Sequence, residues 1–137
     1  MQEKIEKKLL LLAQKAYKQG EIPVSAILVK NNKIISSAYN KRQRTHDVTK
    51  HAEILAIQKA TKKLKDWRLD NCELYVTLKP CSMCTEIIKQ SRISKVYFYI
   101  DKPINKKEYN KTEFINLKVK TYTQFVKLLQ NFFENKR

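Results

Sequence analysis

Apolar residues recur at helical spacing from the start of the chain. Ile5, Leu9, Leu12, Ala13, Ala16 and Tyr17 stand among Lys and Gln. That period predicts an amphipathic helix over residues 3–19, ending near Gly20. Pro23 then precedes Val24-Ser25-Ala26-Ile27-Leu28-Val29, the pattern of a buried strand. Asn31-Asn32 supplies a turn, and Lys33 to Tyr39 reads as a second strand, so the two form a hairpin. Asn40 to Lys50 is polar and reads as a loop. Ala52, Leu55, Ala56, Lys59 and Ala60 favour a second helix over His51 to Leu64. Asp47 or Thr49 could cap its start. Glu73 to Leu78 reads as a third strand, Cys81 to Gln90 as a third helix and Lys95 to Ile100 as a fourth strand. Residues 104–113 hold no clear period and read as loop or irregular helix. Lys118 to Thr121 reads as a short fifth strand. Tyr122, Phe125, Val126, Leu129, Phe132 and Phe133 return to helical spacing and predict a C-terminal helix.

Strands alternating with helices imply a three-layer α/β domain, with parallel pairing where a helix crosses over. At 137 residues, with no internal repeat and no linker, the expectation is a single domain over residues 1–137. The hydrophobic share of 42% suits a packed core and argues against disorder. No apolar run approaches the length of a membrane span. Met1 to Lys4 leads into no apolar stretch of the signal-peptide kind, so no secretory signal is expected. Two of the three cysteines, Cys81 and Cys84, form a C-x-x-C pair, and Cys72 stands apart. An odd count of this kind is no disulfide framework. It points to a reducing cytoplasm and a metal or redox role for the pair.

The net charge of +16 would draw the chain toward nucleic acid through phosphate neutralisation. Lysine outnumbers arginine 24 to 5, however, and arginine is the better reader of phosphates and bases. Codon bias of an AT-rich genome accounts for such a lysine excess equally well.

The chemistry is concentrated in His51-Ala52-Glu53 and Pro80-Cys81-Ser82-Met83-Cys84. Cys81 and Cys84, three apart at a helix start, can bring both sulfurs to one ion. A helix N-terminus favours their thiolates. His51 supplies a third ligand. Residues i and i+2 diverge by about 200° inside a regular helix. His51 and Glu53 therefore face one site only if His51 lies at an irregular first turn. Zinc with two thiolates and a neutral imidazole carries no net charge. It keeps an open position for water, from which Glu53 can take a proton. A closed structural zinc site needs a fourth ligand, and only Cys72 and His46 remain for it. Cys72 reads as a packing residue and His46 as a loop contact. A thioredoxin-type C-x-x-C leaves His-x-Glu unexplained. The pairing of H-x-E with P-C-x-x-C is instead a recognised signature of zinc-dependent base deaminases.

Beyond that signature the chain resembles the bacterial tRNA-specific adenosine deaminase family, within the cytidine deaminase-like superfamily. The likeness runs from about Lys15 to Phe98. It rests on Glu21-Ile22-Pro23-Val24, Asn40, His46-Asp47-Val48-Thr49-Lys50-His51, Leu74-Tyr75-Val76-Thr77-Leu78 and Ser91-Arg92-Ile93. The resemblance implies a five-stranded mixed sheet with helices on both faces. It implies one zinc per chain held by His51, Cys81 and Cys84, with Glu53 shuttling the proton. The reaction implied is attack at C6 of adenine with loss of ammonia, turning the wobble adenosine of a tRNA anticodon loop into inosine. Asn40 and the Ala52 backbone would contact the base, and a homodimer would complete the substrate site. Lys41, Arg42 and Arg44 lie where phosphates would run. The chain departs from the family pattern at Lys79, where Glu is usual, at Ser25, where Gly is usual, and in the segment after Phe98. Two competing readings are a deaminase of a free base or nucleotide (guanine, cytosine) and a non-catalytic, zinc-stabilised RNA-binding module.

Overall fold

The structure, a computed structural model, describes residues 1–101, 113–116 and 122–134. It divides into two compact units, Met1–Asn105 and Lys106–Arg137. In the first unit the elements run α1 (Gln2–Lys18), β1 (Ser25–Lys30), β2 (Lys33–Tyr39), α2 (Arg42–Thr45), α3 (Ala52–Leu64), β3 (Cys72–Leu78), α4 (Ser82–Gln90) and β4 (Lys95–Ile100). The second unit holds α5 (Tyr122–Glu134), the expected C-terminal helix. The expected fifth strand, Lys118 to Thr121, lies outside the described residues. Among the described residues four strands form the sheet, in the order β2-β1-β3-β4. No described helix is long and apolar enough to cross a membrane.

β1 pairs antiparallel with both β2 and β3, while β3 and β4 pair parallel. The sheet is therefore mixed, and α4 makes the crossover that a parallel pair requires. β1 is central and covered on both faces, which is why its sequence is an unbroken apolar run. Ala26 and Leu28 join Leu74 and Val76 on the face beneath α3 and α4. Ile27 and Val29 face the other way, against Ile5 and Leu9 of α1. These layers match the expected α/β/α arrangement. α3 approaches closely because Ala52, Ala56 and Ala60, one turn apart, are all fully buried.

Turn chemistry is set by the near absence of glycine. Gly20, the one glycine, adopts φ +79° and ends α1, and the next amide, of Glu21, bonds back to the Ala16 carbonyl at 2.9 Å. The β1–β2 turn uses Asn31 and Asn32 at φ 51° and 61°, the left-handed pair that a two-residue hairpin needs. Lys65 takes the same region (φ 55°) to end α3.

Two expectations are corrected. The stretch after Asn40 is not all loop, because Arg42–Thr45 forms the short helix α2. Neither Asp47 nor Thr49 caps α3. Asp47 Oδ1 instead accepts from the Thr49 amide at 2.9 Å and hydroxyl at 2.6 Å, closing a turn inside the loop. His51 holds the capping position, with no side-chain hydrogen bond.

Candidate active site at a metal centre

The candidate site forms where two helices begin. At the carboxyl end of β3, the Lys79 amide donates to the Ile100 carbonyl at 2.8 Å. Pro80 then turns the chain, and Cys81 sits extended (φ −68°, ψ 172°) as the N-cap of α4. Pro80 thus precedes the cap. His51 is likewise extended (φ −75°, ψ 151°) as the N-cap of α3. The irregular first turn that His51 and Glu53 required is this cap. His51 steps off the helix by one residue, and Glu53 lies one residue inside it. The two N-termini bring their positive dipole ends to one place, which favours thiolate and carboxylate.

His51 Nδ1 lies 3.5 Å from the Cys84 sulfur and 3.8 Å from the Cys81 sulfur. All three potential ligand atoms fall within 4.8 Å of one another. Zinc bonds of about 2.3 Å to sulfur and 2.0–2.1 Å to nitrogen, at a tetrahedral angle, put those atoms about 3.6 Å apart. The donor set and its spacing fit zinc. Among the described residues this is the only such group. Cys72, fully buried in the core, and His46, at the end of α2, are not part of it.

The protons follow the geometry. The Cys81 thiol is lowered to about 3 by hydrogen bonds from Cys84 and then from His51, and both favour its thiolate. Cys84 is pushed up, first by the bond it makes to Cys81, then by burial and the Glu53 charge. Their mutual hydrogen bond favours a thiolate on Cys81 beside a thiol on Cys84, and a divalent cation would displace the remaining proton. His51 is raised by its bond to Cys81, against the effect of burial. Glu53 is only 4% exposed. Burial raises its carboxyl, with His51 and a Cys84 hydrogen bond pulling the other way. A carboxyl raised in this way and placed beside a metal site suits proton transfer.

The other candidates lie just after β2, in and beside α2, and at the start of α3. Asn40, 6% exposed, follows β2, and its Oδ1 accepts from the Arg42 amide at 3.2 Å. Ala52 is fully buried, and no hydrogen bond among the described residues uses its amide. Lys41 lies over the Tyr39 ring (5.1 Å to the centroid). Arg44 Nη1 donates to Gln19 Oε1 at 3.2 Å, and Gln19 Nε2 donates to the Tyr39 hydroxyl at 3.2 Å. Tyr39 is lowered by the Gln19 bond and by the cations Lys41, Arg44 and Lys15. Among the described residues, no ion pair neutralises Lys15, Lys41, Arg42 or Arg44. Lys79 pairs with Asp101 at 3.6 Å and lies over Phe98. Sequence reasoning missed Glu21 as part of this region. Its carboxylate binds the α2 amides from more than 20 residues away, and no local pattern announces that contact.

A buried carboxyl beside a His/Cys/Cys cluster, at the carboxyl end of a mixed sheet, places the molecule in the class of metal-dependent base deaminases. Comparison with known proteins narrows the class. The family model for MafB19-like deaminases matches residues 1–137, and the chain belongs to that family. It is 42% identical to the tRNA-specific adenosine deaminase of Buchnera aphidicola subsp. Schizaphis graminum, over 93% of this chain and 91% of that protein. A structure from work on A-to-I editing by tRNA:A34 deaminases at the wobble position superposes with a TM-score of 0.67. It has 36% identity over 72% of this chain and 76% of that one. Guanine deaminase from Bacillus subtilis superposes with a TM-score of 0.78 and 29% identity, over 96% and 94% of the two chains.

Proposed function

We propose that this protein is a zinc-dependent deaminase that converts the wobble adenosine of a tRNA anticodon loop to inosine, taking up water and releasing ammonia. The observation that carries the reading is the buried Glu53 set beside the His51, Cys81 and Cys84 ligand atoms. That site lies in a chain 42% identical, almost end to end, to a tRNA-specific adenosine deaminase. His51 Nδ1 and the two sulfurs would hold one zinc per chain, and the ion, when bound, would supply Lewis acidity that brings the pKa of water toward neutrality. Glu53 would take one proton from the attacking water and give it to N1 of the base, then carry the proton of the new C6 hydroxyl to the amino group, which leaves as ammonia. The unused Ala52 amide and the Asn40 side chain fix the base. A wobble adenosine lies in a single-stranded loop, so it can be splayed out of its stack to reach the centre. The unneutralised Lys41, Arg42 and Arg44 receive the flanking phosphates. A homodimer working in the cytoplasm completes the proposal, on the same resemblance.

Zinc-loaded protein should produce inosine in an anticodon stem-loop. Glu53→Ala should lower turnover at least 1,000-fold or so, with zinc still bound. Undiminished turnover in that variant removes Glu53 from the mechanism. The structural likeness to guanine deaminase supports one rival. Ammonia release from guanine, with none from the stem-loop, would replace the tRNA reading by that one.

A further inference from the structure

α2 is four residues long, too short to persist by its own hydrogen bonds. Its first-turn amides are satisfied by side chains. The Arg42 amide donates to Asn40 Oδ1 at 3.2 Å. The Gln43 and Arg44 amides donate to the two oxygens of Glu21, at 2.9 and 2.7 Å. Glu21 is 4% exposed, and no ion pair among the described residues involves it. A buried carboxylate is thus held by two peptide N–H groups at a helix start. Both are charge-assisted bonds, and the arrangement is an N-cap delivered from another part of the chain.

The rest of the loop depends on α2. The Asp47 amide bonds to the Arg42 carbonyl at 3.1 Å, and the Lys41 amide to the Lys50 carbonyl at 2.9 Å. His51 is the next residue. We infer that Glu21 is a positioning residue for substrate: by locking α2 it presents Asn40, Arg42 and Arg44 to the RNA in one arrangement. The inference rests on the tRNA reading above. Loosening α2 leaves Cys81, Cys84 and Glu53 in place at the starts of α3 and α4, and His51 is tied to α3 by its own carbonyl, which accepts from the Leu55 amide at 3.0 Å. The loss should therefore fall on substrate capture rather than on the chemical step.

Glu21→Gln keeps the shape but sets an amide NH2 against one of the two N–H donors. Zinc should stay at one per chain and kcat within about twofold, while KM for the anticodon stem-loop rises about tenfold. Amide exchange at Gln43 and Arg44 should quicken without change in α3 or α4. Glu21→Asp, which retains the charge on a shorter arm, should give an intermediate KM. An unchanged KM with a lowered melting temperature would overturn the inference, leaving Glu21 as a stabilising contact. So would a fall in kcat at constant KM. If the variants do not fold, the unaltered protein decides: Gln43 and Arg44 amides that exchange freely exclude the lock. Protected amides in an enzyme that makes no inosine would instead sink the tRNA reading and leave the lock standing.

Discussion

His51 shows how much of the site depends on one backbone torsion. Inside a regular helix its imidazole would point about 200° away from Glu53. With ψ at 151° it leaves the helix and meets both sulfurs, while Glu53 turns in from the first helical turn. The residue types and the need for an irregular start were legible in the sequence. The distances were not, because they depend on where β3 delivers Cys81. The proton on Cys84 adds a direction. Cys84 is raised by its bond to Cys81 and by burial, and a thiol must lose its proton to become a ligand, so acid competes with metal. Zinc affinity should fall as pH falls, and Cys84→Ser should reduce bound zinc from one per chain to a trace after dialysis. Metal analysis checks this, and a Cys84→Ser protein that keeps its zinc would remove that sulfur from the site.

At the scale of elements, hydrophobic period placed the helices and strands of the first unit to within a residue or two. Those elements bury the stripe or face that their sequence displays, except β4, whose Tyr97, Phe98, Tyr99 and Ile100 stay exposed. α2 escaped detection because its stability comes from Glu21, and period carries no information about a distant cap. The expected cap by Asp47 or Thr49 failed for a local reason: each satisfies the other first. Scarcity of glycine leaves a cost at Lys65, an exposed residue with φ 55° that closes α3. A left-handed conformation costs a side-chain-bearing residue about 1 kcal/mol. Lys65→Gly should recover most of that, raising the melting temperature by roughly 2–5 °C. A scanning calorimetry trace with an unchanged or lower midpoint would show that the backbone there is not strained.

Across the whole molecule the net charge of +16 could have been drift or a binding surface. The structure distinguishes a subset. Lys15, Lys41 and Arg44 gather around Tyr39, Arg42 lies beside His51, and no ion pair among the described residues neutralises any of the four. Three or four phosphate contacts on single-stranded RNA give a slope of about −2 to −3 for log affinity against log salt. Anticodon stem-loop binding should show it, and the Arg42→Ala, Arg44→Ala double variant should flatten it. A slope near zero in the parent protein would assign these cations to solvent. The sequence by itself determined the layer order, the types of the candidate ligands and the reaction class. Those depend on periodicity and on residue chemistry at short spacing, which are local. Tertiary structure alone decided that the starts of α3 and α4 meet and that Glu53 is buried beside the ligands. It also decided that the carboxylate of Glu21, between α1 and β1, builds the helix in front of the site. Each of these is a contact between residues more than 20 positions apart, set by how the sheet orders its strands.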